Sequence, residues 1–275
     1  MKTSRRLLLF GLKFIPVFLC SCLLSCTANP VQEDQIAIAK IELIEGNNGV
    51  ILSSGTCFFL RGGLVEEPIF YLATAKHVVG KGDGVDFQSY ARYIRVKANW
   101  NPPNKVEDEF IINIANNRPS RRLNYGNEQD WLLYRVFSNE TQDSTLYTYL
   151  KTHQNKISSL DMLRGCENVK IGQTAYLSGF PIQSYYDDAK RYKASIDTIS
   201  GKVYEIDCMG DKISINAPVA KGHSGCPVYT DDGNGKYIIG LIVKFVFTNE
   251  DGEKVYSGRS RLLAIDELLS GLDVE

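Results

Sequence analysis

The stretch Ala217–Pro227, APVAKGHSGCP, decides how the rest of this chain reads. It sets one serine, Ser224, between two glycines in a short segment bounded by prolines. A nucleophilic serine needs such a setting: the backbone turns sharply to present Oγ, and nearby N–H groups aim at the oxygen that gains charge when a carbonyl is attacked. Gly222 has no Cβ and tolerates strained dihedrals. The N–H groups of Gly222 and Ser224 are the natural pair for an oxyanion hole. Taken alone, Gly-x-Ser-Gly before a proline is also an ordinary turn.

A serine nucleophile needs a base and a group to orient that base. The chain has 3 histidines. His153 lies in the polar run KTHQNK, and His223 adjoins the serine, where neighbouring side chains on a tight turn diverge. His77, in FYLATAKHVVG, ends an apolar strand. Between it and the serine comes Asp130, in NEQDWLLYRV, where a polar loop enters a buried strand. The order His77, Asp130, Ser224 supplies base, orienting carboxylate and nucleophile, each beside a hydrophobic strand. The bland alternatives are a turn-capping aspartate and a half-buried strand-end histidine. An α/β-hydrolase elbow is excluded, because Cys226 stands where its second glycine belongs and both partners precede the serine.

These blocks resemble those of the chymotrypsin-fold (trypsin-like) serine peptidases, especially the bacterial HtrA-like and glutamyl-endopeptidase branches. TAKHV around His77, DWLLYRV around Asp130 and GHSGCP around Ser224 carry the likeness. GTCFFL, GQTAYLSGFP and GKYIIGLIVKF extend it from about Gly55 to Leu263. The resemblance implies an all-β chain of two six-stranded antiparallel barrels and a peptide-hydrolysing triad of His77, Asp130 and Ser224 working through an acyl-enzyme. It implies a protein or peptide substrate and calls for no cofactor or metal. It also sets the walls of a primary specificity pocket: Pro218, Val219 and Lys221 before the serine, Ile242, Val243 and Lys244 after it. With no aspartate where trypsin-type pockets carry one, a small or apolar residue before the scissile bond is favoured; Lys221 and Lys244 leave room for an acidic one. The departures are His223, where animal enzymes carry an activation aspartate, and Cys226, where the family has glycine. A catalytically silent binding module and an esterase using the same triad are the competing functions.

Strand patterning agrees with two barrels. IAIAKIELI alternates at period two, and VILSSGTCFFL, PIFYLATAKHVV, YARYIRVKANW, EDEFIINIA and DWLLYRVF follow it. The polar stretch 138–161 separates these from a second series: GQTAYLSGF, RYKASIDTISG, KVYEIDC, KISINA, CPVYT, KYIIGLIVKFVF and KVYSGRS. Residues 35–150 are read as the first barrel and 151–275 as the second. LLAIDELLSGL has helical spacing and is expected to form a short C-terminal helix.

The chain opens with Lys2, Arg5 and Arg6 before an apolar run ending in LLSC, which resembles the lipobox of bacterial lipoproteins. Residues 1–25 read as a lipoprotein signal peptide, Cys26 as the lipidated residue that anchors the protein to a membrane, and 26–34 as a tether; the alternative is an ordinary secretory signal with an incidental cysteine. The protein is thus expected in a bacterial cell envelope. After residue 25, 27 basic groups face 32 acidic ones, a formal charge of −5 that argues against a nucleic-acid partner. Four cysteines then remain: Cys57, Cys166, Cys208 and Cys226. An even number in an exported protein allows three pairings. The resemblance favours Cys57–Cys226, two departures from glycine on backbone stretches that pass behind the oxyanion loop. Cys166 and Cys208 would be paired with each other or be free and buried.

Overall fold

The computed structural model describes residues 36–45, 49–79, 93–98, 100, 108–113, 122–123, 130–139, 143–181, 197–209, 212–217, 219–233, 235–250 and 253–264. Beyond Val243 the last two strands are described by backbone alone. The signal peptide, Cys26, the tether and residues 265–275 lie outside the described residues. The chain from Asp34 to Glu275 is one compact unit.

The first half is built by β1 (Ile38–Glu45), β2 (Val50–Gly63), β3 (Pro68–Ala75), β4 (Tyr93–Ala98), β5 (Asp108–Asn113), β6 (Arg122–Leu123) and β7 (Trp131–Val136). They lie in the order β5-β4-β1-β2-β3-β7-β6, and β8 (Ser158–Ser159) adds a short parallel edge to β2. Among the described residues this sheet does not close, where the sequence implied a six-stranded barrel. Its core is aromatic and branched: Phe58, Phe59, Phe70, Ile41, Leu72 and Trp131 are all at most 2% exposed. The second half closes fully: β9 (Thr174–Gly179), β10 (Asp197–Asp207), β11 (Lys212–Asn216), β12 (Pro227–Asp231), β13 (Lys236–Glu250) and β14 (Glu253–Ala264) form a barrel in the order β10-β11-β14-β13-β12-β9. All the barrel pairs are antiparallel. The fold class is the one read from the sequence, all-β in two antiparallel sheets.

Four local readings change. First, strand β3 ends at Ala75, and Lys76–Val79 turns into one helical turn, α1. Second, the break expected at Gly201 is absent. β10 runs through it, with Gly201 paired to Ala175 on β9, and only glycine fits there because a Cβ would sit 2.0 Å from the Asn216 carbonyl oxygen. Third, the polar connection contains a helix, α2 (Ser144–Thr152), which buries Leu146 and Leu150. Fourth, Leu262–Ala264 finish β14 rather than begin a helix; the rest of the expected helix lies outside the described residues.

Outside the hydrophobic core, β1 carries an unexpected charge. Glu42 is fully buried and paired with Lys40 at 2.7 Å, Arg95 at 2.9 Å and Lys97 at 3.6 Å. Glu109 extends the network to Arg95 at 3.5 Å. The cross-strand register explains it: Lys97 faces Lys40, and Arg95 faces Glu42, across the β1–β4 ladder.

Candidate active site

Three chain segments converge where the two halves meet. The first two are joined by strand pairing. β3 and β7 are antiparallel neighbours, with Ala75 opposite Trp131, so the residues that follow one and precede the other are adjacent in space. Lys76 N–H donates to the Asp130 carbonyl at 3.1 Å. The Asp130 side chain then uses both oxygens on one residue: Oδ1 accepts the His77 backbone N–H at 2.8 Å, and Oδ2 lies 2.5 Å from the ring Nδ1. A carboxylate only accepts, so Nδ1 carries a proton, and in the neutral ring the lone pair is then on Nε2. Both side chains stay about one-third exposed, at 35% and 37%. The His77 ring is therefore reachable while its Nδ1 side is held.

The third segment is the loop between β11 and β12. Gly222 has φ 95° and Gly225 φ 84°, a region that side chains with a Cβ avoid. Gly225 is required on space as well: a Cβ would fall 2.2 Å from the Thr56 carbonyl oxygen and 2.8 Å from the Ala75 nitrogen. The loop thus sits against the very end of β3. Gly55 supplies the second close approach, wedged between the Ser224 carbonyl and the side chain of Val78, the residue after His77. Strand β13 fixes the loop from the other side, where Gly225 N–H donates to Ile242 O at 2.7 Å and Ile242 N–H to Cys226 O at 3.0 Å.

Ser224 is 4% exposed. Among the described residues its hydroxyl makes no hydrogen bond, to the His77 ring or to any other group. Such bonds often tighten only once substrate is bound. The N–H groups of Gly222 and Ser224 likewise donate to no acceptor among the described residues, although the carbonyls around them are engaged.

The remaining sequence-derived positions divide. His223 turns inward, 1% exposed, with its ring against Gly179 and its Nδ1 accepting the Ala220 N–H at 3.0 Å. Val219 and Ile242 are buried in the second core, at 4% and 0% exposed, so Ile242 serves the loop through its backbone. Lys221 is exposed and Val243 half-buried. Pro218, and the side chain of Lys244, lie outside the described residues. His153 belongs to an aromatic cluster with Trp100 and Tyr149.

The cysteine pairing is corrected. Cys57 and Cys226 are both free thiols, and the disulfide joins Cys166 to Cys208 in the second half. Strand alternation explains why: side chains of adjacent residues point to opposite faces. On β2 it is Thr56 that faces the serine loop, so Cys57 points away and is fully buried in the first core, while Cys226 is buried in the second. Burial pushes both thiols well above their ordinary range, so neither supplies a thiolate. Thr56 is the residue that reading the sequence overlooked. Its only signal was its place in GTCFFL, one step before the cysteine.

Among the described residues there is no cluster of His, Cys, Asp and Glu able to hold a metal ion, and no helix long and apolar enough to cross a membrane.

Comparison with known proteins bears on the family and the fold. A family model, "Trypsin-like peptidase domain", matches residues 55–241. Among solved structures, the thermostable serine protease AL20 from an extremophilic microorganism superposes with a TM-score of 0.54. It is 14% identical, and the match covers 86% of this chain and 95% of that one. At that identity the likeness speaks to fold alone. A search of curated protein sequences finds no significant match.

Proposed function

Because the chain belongs to the trypsin-like peptidase family, we propose that it is a serine endopeptidase whose triad is His77, Asp130 and Ser224. In this reading Ser224 Oγ attacks the scissile carbonyl while His77 Nε2 takes its proton. Gly222 and Ser224 N–H groups hold the resulting oxyanion. The tetrahedral intermediate collapses as His77 returns the proton to the leaving amine, which departs. A water then attacks the acyl-enzyme, activated by the same Nε2, and frees the acid and the serine. Asp130 keeps the imidazole in the working tautomer and stabilises its cation. The single observation that carries the reading is the two-point grip of Asp130 on His77, with the Ser224 loop lying against the same strand end.

The substrate is a protein or peptide. A small or apolar residue before the scissile bond is our choice, since neither wall of the expected pocket carries an acidic residue. The blocks GTCFFL and TAKHV favour the HtrA-like and glutamyl-endopeptidase branches. His223 in place of the activation aspartate argues against control by a freed N-terminus. We place the protein in the cell envelope, anchored through lipid on Cys26. The Cys166–Cys208 bond supports an oxidising compartment of that kind.

A fluorophosphonate probe, followed by turnover of a peptide library and of p-nitrophenyl esters, tests the proposal. Wild type should label at Ser224 and cleave peptides, and Ser224→Ala should do neither, with turnover lowered by roughly 10⁶-fold. A wild-type protein that neither labels nor turns over would be a silent binding module. One that cleaves esters and no peptide would be an esterase. Undiminished turnover in a folded Ser224→Ala protein overturns the serine mechanism.

A further inference from the structure

We propose that Thr56, a residue of the first sheet, is a positioning residue that sets the geometry of the oxyanion loop carried by the second. Thr56 is completely buried. Its backbone N–H donates to the Ser224 carbonyl at 2.9 Å, and its hydroxyl donates to the Gly222 carbonyl at 2.7 Å. The same hydroxyl accepts the Phe180 N–H at 3.0 Å, and the Thr56 carbonyl accepts the Thr74 hydroxyl at 2.7 Å. With one O–H donated and one N–H accepted, the hydroxyl has a single working orientation.

The consequence for the loop follows from peptide geometry. Within one peptide unit, the C=O and N–H point in opposite directions. The His223 carbonyl is taken by Cys226 N–H at 2.9 Å, which turns the Ser224 N–H the other way. Thr56 pins the carbonyls on either side of that unit, at Gly222 and Ser224. Gly222, at φ 95°, is the one residue between Lys221 and His223 and is free to swivel, having no Cβ. Its carbonyl is held by the Thr56 hydroxyl, while the other end of the same peptide, the His223 N–H, donates to the Ala220 carbonyl at a longer 3.2 Å. Without the hydroxyl, the buried Gly222 carbonyl and Phe180 N–H both lose their partner, and the peptide is driven to rotate in search of another. That rotation changes ψ of Gly222 and φ of His223, so the two flanking peptides, which carry the Gly222 and Ser224 N–H groups, lose their common aim at an oxyanion. The tether spans the two halves of the molecule, so the geometry of the serine loop depends on a residue 166 positions earlier in the chain than the carbonyl it holds.

The inference rests on the proposed serine mechanism for its kinetic arm only. Thr56→Val keeps the shape and removes the hydroxyl; Thr56→Ser keeps the hydroxyl. Removing one oxyanion donor lowers kcat roughly 10²–10³-fold, so misplacing one should cost about 10–100-fold. The expected result is a kcat drop of that size in Thr56→Val with KM changed less than about threefold, and Thr56→Ser within about threefold of wild type in both. Amide hydrogen exchange supplies the arm that needs no turnover. Peptides covering residues 220–226 should exchange faster in Thr56→Val and at the wild-type rate in Thr56→Ser. If the valine variant does not fold, Thr56→Ala takes its place with the same expected direction. Wild-type exchange across 220–226 in the hydroxyl-free variant overturns the tether, whether or not the protein is an active enzyme. Faster exchange with unchanged kcat in an active enzyme overturns the positioning role. An inert wild type whose loop still loosens in the valine variant keeps the tether and removes only the serine mechanism.

Discussion

Replacing Asp130 with asparagine tests the proposed base more sharply than removing the base itself. In the native site one oxygen accepts the His77 backbone N–H at 2.8 Å and the other faces Nδ1 at 2.5 Å. Asparagine has one oxygen and one NH₂ to fill those places. The backbone N–H cannot be turned into an acceptor, so the amide oxygen must stay opposite it. The NH₂ is then forced against Nδ1, which has to accept, and the ring proton moves to Nε2. A ring protonated at Nε2 is unable to take the Ser224 proton. The penalty for this inverted tautomer is roughly 10⁴-fold in kcat, about 5.4 kcal/mol in activation free energy. Stability should hardly follow. The two side chains are more than one-third exposed, where such pairs contribute about 0–1 kcal/mol, so the melting temperature should fall by at most about 4 °C. Steady-state kinetics on a peptide substrate, with a thermal melt of the same preparation, reads both quantities. A folded Asp130→Asn protein within tenfold of wild-type kcat would refute the reasoning.

The buried carboxylate of β1 predicts an acid-sensitive fold. Burial alone would raise the Glu42 carboxyl, but Lys40, Lys97 and Arg95 together hold it below its ordinary value. Its stabilisation is complete above the ordinary glutamate range and is lost as the pH falls through the native value. Glu42→Gln leaves three cations around an uncharged group, which should cost about 3–5 kcal/mol at neutral pH. That is a melting shift on the order of 10 °C, shrinking in acid; an equal shift at pH 3 and pH 7 would contradict it. The Cys166–Cys208 bond closes a separation of 42 residues, so the double alanine variant should lose about 4 kcal/mol. Non-reducing peptide mapping should return Cys57 and Cys226 unmodified, and a Cys57–Cys226 peptide would overturn the assignment. If Cys26 carries lipid, the protein should partition into detergent and incorporate labelled fatty acid. Cys26→Ser should abolish both, and a wholly soluble wild type would exclude the anchor.

Much of this protein is legible without coordinates. Hydrophobic alternation and glycine-bounded turns determine that the chain is all-β, because a strand with one buried face must repeat at two residues. The triad candidates follow from scarcity, since few histidines are available and only His77 ends an apolar strand. What the tertiary structure alone decided is which face each residue presents across the junction of the two halves. A one-residue step on β2 separates Thr56, which grips the serine loop, from Cys57, which turns into the core. Composition and spacing are the same for both faces, so the disulfide expected at Cys57 and the tether found at Thr56 were indistinguishable until the register was known. Gly201 teaches the same point: as a letter it reads as a break, yet it pairs with Ala175 inside β10, and it is glycine because the Asn216 carbonyl of the neighbouring strand β11 occupies the space of a side chain. Glu42 is the third case. A glutamate at an outward position of an alternating strand reads as solvated, and only the register of β4 brings Arg95 and Lys97 over it. Local periodicity is written in neighbouring residues; facing partners are set by contacts between segments far apart in the chain.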